Sequence, residues 1–434
     1  MDLAVIGVLG IVILLLIIFF LAMPVGFAMA VVGFCGFWYI VSFKAALTMA
    51  STDLWTIFAK YGLTVIPLFI FMGEIAFFSG VNEKLYNTAY KWMGHIRGGL
   101  AMATVMACAG FAAICGSNAA TAATMTTVAL PEMKKYRYEP ALSTGAIACG
   151  STLGVVIPPS VVLIVIGLYT GQSIAKLFYG GVSAGIILAI LFLVTVYVLC
   201  RVKAAWGPVG PATSFKEKIA SLPGALEMLI LFLLVMLGLY FGFFTPTEAG
   251  AAGSFFAVVI SVVERRLSWK GFVASIVDTL KISCMVMVLV TGAVIFGRFL
   301  AVTRIPFDIA TWVSALPVPN AVIMGIIFFI FIIGGAVMDA LALLLITIPI
   351  FYPVALELGY DPIWFSVTIT VITTLGAVTP PVGATTYVVG AMAKDVPLGR
   401  VFKGVTYFLP AYIVCVVILM LFPALVTFLP NLIR

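Results

Sequence analysis

Long runs of apolar residues, separated by short polar connectors, fill the chain from end to end. A helix needs about 20 mostly apolar residues to cross the hydrocarbon core of a bilayer. Two apolar stretches, 99–131 and 318–353, are long enough as well, but the charges of their flanking connectors indicate that they do not cross the membrane. The other segments of sufficient length are predicted to cross the membrane: 3–22, 26–42, 61–79, 141–170, 175–200, 222–243, 248–263, 275–300, 363–392 and 404–428.

Basic residues in the connectors give the predicted orientation, because Lys and Arg collect in cytoplasmic loops. Both connectors that flank 99–131 are rich in Lys and Arg, so this stretch is predicted to enter and leave from the cytoplasm as a re-entrant helical hairpin. The connector 354–362 is acidic and is placed outside, which makes 318–353 a second hairpin that enters from the opposite face. Both chain termini are then predicted to be periplasmic.

The sequence also contains an internal repeat. At an offset of 222 residues, Pro158-Pro159 meets Pro380-Pro381, and Thr152-Leu-Gly meets Thr374-Leu-Gly. We therefore predict an all-α polytopic membrane protein built from two repeats, 1–221 and 222–434. Each repeat has five transmembrane helices, a re-entrant helical hairpin and a helix broken by Pro-Pro. Because five is odd, the repeats must be inverted, which is typical of secondary transporters.

The two Pro-Pro breaks predict cation sites. Proline lacks an amide donor and clashes with the carbonyl one turn earlier, so the helices 141–170 and 363–392 should unwind at mid-membrane. Unpaired carbonyl groups in hydrocarbon are costly unless something binds them. Hard cations prefer oxygen ligands, and Na⁺ is the predicted occupant at both breaks.

Each predicted sodium site joins a hairpin tip to a helix break. The predicted sodium ligands are Gly116, Ser117, Asn118, Gly154, Pro158, Asp339, Gly376, Thr379 and Pro380. Helix N-termini at the tips favour anions, so a carboxylate substrate is expected in the cavity between the tips. Its predicted ligands are Ser117, Asn118, Ser160, Gly383 and Arg298.

Structural roles compete with these assignments. Ser117 and Asn118 are also suited to helix packing, and Asp339 to an ion pair with a basic residue. Arg298 is equally suited to reach the membrane interface. For Glu74, within the crossing 61–79, we expect an interhelical hydrogen bond before a role in proton relay.

Composition excludes other function classes. Residues are 64% hydrophobic and only 9% charged, against about 25% charged in soluble domains, so a water-soluble enzyme and a nucleic-acid-binding protein are ruled out. The chain has one histidine and no Cys-x-x-Cys pair, which argues against a transition-metal site, and no organic cofactor is expected. A membrane-embedded hydrolase would need a nucleophile–base pair that the sequence lacks, and a passive channel needs no inverted repeat.

Taken together, four motifs resemble the large membrane subunit of tripartite ATP-independent periplasmic (TRAP) transporters, over essentially the whole chain. They are Phe244-Thr-Pro-Thr-Glu-Ala249, the tip Gly116-Ser-Asn118, Ile157-Pro-Pro-Ser160 and Thr379-Pro-Pro-Val-Gly383. The resemblance implies sodium-coupled uptake of an organic acid such as a C4-dicarboxylate, a keto acid or a sialic acid, by an elevator-type movement in the bacterial inner membrane.

The resemblance also implies partners. These are a periplasmic binding protein that delivers the organic anion and a small four-helix membrane subunit. Because the chain begins directly with its first apolar helix, that subunit is expected to be a separate chain in the same lipid bilayer. The alternative is a stand-alone sodium–dicarboxylate symporter of the same superfamily, which would need no binding protein.

Overall fold

The computed structural model describes residues 2–210 and 213–433, which form helices and connectors without β-strands. Helices α1–α12 fall within residues 1–221. They are α1 (Leu3–Leu21), α2 (Val25–Ile40), α3 (Phe43–Ala59), α4 (Val65–Phe78), α5 (Val81–Met93), α6 (Gly99–Cys115), α7 (Asn118–Lys135), α8 (Pro140–Ser151), α9 (Leu153–Val156), α10 (Val161–Thr170), α11 (Ile174–Val202) and α12 (Phe215–Ser221).

The remaining helices follow in residues 222–434. They are α13 (Pro223–Tyr240), α14 (Pro246–Val263), α15 (Trp269–Thr303), α16 (Ile305–Ser314), α17 (Asn320–Val337), α18 (Ala340–Glu357), α19 (Pro362–Val378), α20 (Ala384–Met392), α21 (Leu398–Thr406), α22 (Leu409–Leu421) and α23 (Ala424–Leu432). Several bounds repeat at the offset found in the sequence: α7 begins at 118 and α18 at 340, a difference of 222. The opposite orientation of the two halves stays a prediction.

Both predicted hairpins are present as pairs of helices that fold back on themselves. In the first, Thr104 near the start of α6 lies beside Met133 near the end of α7, with Oγ1 and Sδ 4.0 Å apart. In the second, the side-chain Nδ2 of Asn320 at the start of α17 donates to the Leu358 carbonyl just after α18, at 3.0 Å. The two ends of each hairpin therefore meet, as the sequence predicts.

The two Pro-Pro segments interrupt their helices. The first break separates α9 from α10 at residues 157–160, and the second separates α19 from α20 at residues 379–383. Residues 157–160 of the first break are buried, whereas Pro380, Pro381 and Val382 of the second are exposed. Both breaks fall where the missing amide donors of consecutive prolines prevent helix continuation.

Within the described residues, ten helices are long and apolar enough to cross a membrane, counting α8–α10 and α21–α22 as one helix each. That set differs in detail from the predicted crossings. Val25–Ile40 and Pro362–Val378 are shorter apolar helices, and the arms α17 and α18 of the second hairpin reach spanning length. The predicted crossing 404–428 consists of parts of three helices, because prolines at the starts of α22 and α23 interrupt it.

The helices form two packed groups. In one, α2 packs along α15 and α4 along α14, so each contact pairs a helix of one half with a helix of the other. In the other, each hairpin packs on the broken helix of its own half, and α8 packs on α21. The Thr152 and Tyr412 hydroxyls, 2.6 Å apart, link the two halves of this second group. The hairpins and breaks are thus held in one body.

An ionic network fixes the amphipathic helix α5 against α13 and the α14–α15 connector. The Arg266 guanidinium donates to both carboxylate oxygens of Glu227 at 3.0 and 2.8 Å, and Lys84 lies 3.4 Å from Glu227 and 3.0 Å from Glu264. The Glu227 and Arg266 side chains are only 13% and 16% exposed. Arg266 also pairs with Glu264, so removing the Glu227 charge would leave Lys84 and Arg266 with Glu264 as their one acidic partner among the ion pairs described.

Glu227→Gln is therefore expected to lower the free energy of unfolding by about 2 kcal/mol, since the mostly buried Arg266 loses its two-point hydrogen bonding to a charged carboxylate. A thiol-reactive dye measures this loss during heating, because Cys108, Cys149 and Cys200 are buried in the folded protein. The matched control is Glu132→Gln, which removes an exposed pair with Lys135 at 3.8 Å and should barely change the melting temperature. Equal melting curves for both variants would contradict the role of the network.

Candidate functional site

The tips of both hairpins open into one cavity of about 310 Å³, here called the tip cavity. Its walls come from α4, the two tips, α9, α10 and α15. The lining residues are Ile70, Glu74, Cys115, Gly116, Ser117, Asn118, Ala119, Ala120, Val155, Val161, Val162, Ile282, Met285, Asp339, Ala340 and Leu341. The N-terminal ends of α7, α10 and α18 all reach this space, and helix N-termini favour negative charge.

The tip of the first hairpin is a tight turn that exposes oxygen atoms. Gly116 adopts a left-handed conformation (φ 62°), and a Cβ there would lie 2.5 Å from the Pro159 carbonyl oxygen of the first break. Ser117 caps α7, its hydroxyl accepting from the Ala120 amide at 3.4 Å. The buried Asn118 Oδ1 has no hydrogen-bond partner within the described part of the chain. A buried oxygen without a donor is suited to a cation.

The first break packs directly on that tip. A Cβ at Gly154 would lie 2.9 Å from the Ser117 carbonyl oxygen, so only glycine allows this approach without displacement. Ser160 caps α10 through a hydroxyl that accepts from the Leu163 amide at 3.3 Å, and the Ser160 side chain is fully buried. Tip and break are therefore one continuous structure around Ser117.

The second hairpin repeats this arrangement with a carboxylate. Asp339 caps α18, its Oδ2 accepting from the Leu341 amide at 3.0 Å, and its side chain remains exposed to the tip cavity. The Ala336 carbonyl accepts from the amides of Val382 and Gly383 at 3.0 and 3.2 Å, which joins the tip to the second break. Asp339 occupies the position that Ser117 occupies 222 residues earlier.

The structure brings some of the predicted site residues into the tip cavity and places others behind it. Gly116, Ser117, Asn118 and Asp339 line the cavity. The predicted residues of the breaks are not among its lining residues: Gly154, Pro158, Ser160, Gly376, Thr379, Pro380 and Gly383. Thr379 turns its hydroxyl toward its own helix, donating to the Leu375 carbonyl at 2.6 Å. The breaks thus support the tips from behind.

Arg298 lies outside the tip cavity, in contrast to its predicted place among the substrate ligands there. Its guanidinium donates through Nε and Nη2 to the carboxylate of Asp53 on α3, both at 3.2 Å. The sequence pattern did not predict α3, so this carboxylate partner was missed. The pairing places Arg298 beside a different cavity from the hairpin tips.

Glu74 lines the tip cavity, and sequence reasoning did not include it among the site residues. The expected interhelical hydrogen bond is not present, since the Glu74 carboxylate has no hydrogen-bond partner among the residues described. Its position within an apolar crossing was the available signal, because such acids are usually functional. Like Glu74, the Asp339 carboxylate has no ion-pair partner among the described residues. The tip cavity therefore contains two carboxylates and no basic side chain.

A family model described as "Tripartite ATP-independent periplasmic transporter, DctM component" matches residues 11–425. The C4-dicarboxylate TRAP transporter large permease protein DctM of Pseudomonas aeruginosa is 35% identical over 372 residues, 86% of each chain. The sialic acid TRAP transporter large permease protein SiaM of Vibrio cholerae is 28% identical and covers 95% of this chain and 96% of its own.

Among solved structures, the Alcanivorax borkumensis YdaH transporter, described as having an unusual topology, has a similar fold. The TM-score is 0.62 at 15% sequence identity, over 88% of this chain and 89% of that one. At this identity the similarity concerns the fold alone.

Proposed function

Because the chain belongs to the DctM component family of tripartite ATP-independent periplasmic transporters and is a large permease subunit, we propose that it takes up an organic acid coupled to sodium. It is a multi-pass protein of the inner membrane. In the proposed cycle, Na⁺ binds at the two hairpin tips, and the carboxylate of the substrate enters the tip cavity between them.

The charge of the tip cavity is the observation that supports sodium coupling. Glu74 and Asp339 line it without a basic side chain. A substrate carboxylate about 5 Å from an ionised acid would be repelled by roughly 3 kcal/mol at an effective dielectric constant near 20. Cations bound at the tips would cancel this repulsion, and the unpartnered Asn118 oxygen offers a neutral ligand. Substrate binding would then depend on prior cation binding.

Two features support an organic anion delivered by partners. The relatives named above carry C4-dicarboxylates and sialic acid, which are both carboxylates, and helix N-termini converge on the tip cavity. The tripartite family description supports a periplasmic binding protein and a further membrane subunit as partners. We propose that this subunit is a small four-helix protein on a separate chain. From the basic connectors, both termini of this chain are proposed to be periplasmic.

The packing supports an elevator-type movement. The hairpins and broken helices form one group, while α2 and α4 pack against α15 and α14 in the other. The tip cavity lies where these groups meet, since α4 and α15 contribute Glu74 and Met285 to its wall. A sliding movement of the hairpin-containing group along the other group would carry the cavity contents across the membrane. Rigid-body movement of one bundle against another is how inverted-repeat transporters alternate access.

Reconstitution into liposomes tests this proposal and its alternative. With the binding protein and small subunit present, an inward Na⁺ gradient should drive uptake of at least one acid from a panel of succinate, pyruvate and N-acetylneuraminate. A K⁺ gradient of the same size should not. Uptake by this chain alone would favour a stand-alone sodium–dicarboxylate symporter, and uptake that ignores Na⁺ would contradict the proposed coupling.

A further inference from the structure

A second cavity, of about 320 Å³, lies beside α3, α10 and α15 and is separate from the tip cavity. Three of its lining side chains carry polar groups, namely Lys60, Tyr169 and Arg298, and the rest of its wall is apolar. We call it the Lys60–Arg298 cavity. In contrast to the tip cavity, it contains two basic side chains and no acid among its lining residues.

The two basic groups of this cavity retain capacity to bind an anion. Arg298 uses Nε and Nη2 for Asp53, which leaves Nη1 available, and its side chain is 60% exposed. Lys60 is exposed and has no ion-pair partner among the residues that the structure describes. A flexible ammonium beside a fixed guanidinium, next to an apolar wall, is suited to an organic carboxylate.

The position of the cavity relates it to the transport path. Val161 and Val162 at the start of α10 line the tip cavity, whereas Val165, Leu168 and Tyr169 further along line the Lys60–Arg298 cavity. At a rise of about 1.5 Å per residue, Val162 of the tip cavity and Val165 of the Lys60–Arg298 cavity are only about 4.5 Å apart along this helix. Helix α15 also lines both cavities, so they are neighbours along shared walls.

Its side of the membrane follows from the predicted orientation. Lys60 precedes α4, and the basic connector 80–98, predicted to be cytoplasmic, follows it. The Lys60–Arg298 cavity is therefore placed toward the periplasm. At the positions 222 residues away, Lys60, Tyr169 and Arg298 are matched by Ile282, Ala391 and Ala76. None of these three matched residues is basic.

From this geometry we propose that the Lys60–Arg298 cavity is a receiving site for the organic anion on the periplasmic side. It holds the carboxylate before the anion reaches the tip cavity, where cations bind. The proposal rests on the proposed function for the direction of transport. The attraction of small anions to the cavity is a separate property that can be measured without transport.

The first test uses charged thiol reagents on the complex in proteoliposomes. Ala301→Cys places a reactive thiol on the exposed wall of the cavity, one turn after Arg298. Reaction rates are compared for anionic sulfonatoethyl and cationic trimethylammonioethyl methanethiosulfonate, after subtracting the reaction of the parent with its native cysteines. Adding Lys60→Gln should reduce the anionic-to-cationic rate ratio about tenfold, because local positive potential concentrates anions.

Matched variants separate this effect from general changes in surface charge. Arg304→Gln removes a basic residue that lies three positions after Ala301 but does not line the cavity, and it should reduce the ratio less than Lys60→Gln does. The double variant Asp53→Asn/Arg298→Gln avoids a stranded buried acid and removes one charge of each sign, so it should reduce the ratio less than Lys60→Gln does. An unchanged ratio in Lys60→Gln, or an equal change in Arg304→Gln, would overturn the proposal.

Transport measurements give a second test, in which the receiving site and the proposed function can be contradicted separately. For the acid taken up in the reconstituted system, Lys60→Gln should raise the substrate concentration at half-maximal uptake about tenfold and leave the maximal rate unchanged. Normal sodium-driven uptake with an unchanged half-maximal concentration would contradict the receiving site alone. Absence of sodium coupling in the parent would contradict the proposed function, while the thiol rates would still decide the anion site.

Discussion

Replacing Asp339 with asparagine is expected to weaken sodium-driven uptake sharply while the protein remains folded and inserted. The carboxylate lines the tip cavity and is exposed there, without an ion-pair partner in the described ranges. Asparagine keeps the shape and can still cap α18, so the change removes mainly charge. Because the charge of the ligands sets cation affinity, Na⁺ binding should weaken about 100-fold. Uptake measured against the Na⁺ concentration gives the shift directly.

Asp361→Asn is the matched control for this prediction. Asp361 also caps a helix, accepting from the Trp364 amide at 2.8 Å, but it does not line the tip cavity. It should retain the normal dependence on Na⁺. Ser117→Ala, at the equivalent tip position of the first half, removes a neutral ligand and should impair transport sharply as well. Wild-type sodium dependence in both Asp339→Asn and Ser117→Ala would contradict the site assignment.

The second large effect is expected at Gly376, where the second break meets the second hairpin tip. A Cβ there would lie 2.6 Å from the Gly335 Cα and 2.7 Å from the Gly335 carbonyl carbon, so even alanine forces the two backbones apart. Overpacking of this kind costs about 1–3 kcal/mol, and the displaced tip carries Asp339. Gly376→Ala should therefore reduce sodium-driven uptake at least roughly tenfold, measured with the same reconstituted complex, and also lower the melting temperature.

Gly325→Ala provides the comparison within the same hairpin. Gly325 lies on α17, and a Cβ there would meet no atom within 4 Å. This substitution should leave uptake intact and stabilise the helix slightly, since alanine is favoured over glycine in helices by up to about 1 kcal/mol. Should Gly376→Ala transport as well as Gly325→Ala does, the close fit between break and tip would have no functional importance.

The sequence predicted the hairpins and breaks because their signals are strong and local. Basic residues on both sides of 99–131 required that stretch to return to the face it entered, and consecutive prolines prevented helix continuation at both breaks. The short helices were harder to predict. Helices α3 and α5 carry polar residues that keep them below the apolar threshold, and prolines divide 404–428 without a change in hydropathy.

The sequence could place residues at the tip cavity only where position along the chain decides position in space, and their roles as ligands stay a prediction. Ser117, Asn118 and Asp339 sit at hairpin tips, so their place in the tip cavity follows from local structure. Contacts between distant helices are not encoded in such patterns. Arg298 and Asp53 pair although they are 245 residues apart in the sequence. Glu74 lines the tip cavity only because of how α4 packs. Its isolated charge in an apolar segment was the available clue.

Equilibrium binding of radioactive ²²Na⁺ to the purified protein tests the central claim most directly. The claim is that the two hairpin tips hold sodium and thereby admit an anion to a cavity lined by acids. The wild-type protein should bind Na⁺ saturably in excess K⁺, and Ser117→Ala and Asp339→Asn should each lose part of that binding, whereas Asp361→Asn should lose none. Binding that is absent from the wild type, or equal in all four proteins, would contradict the account.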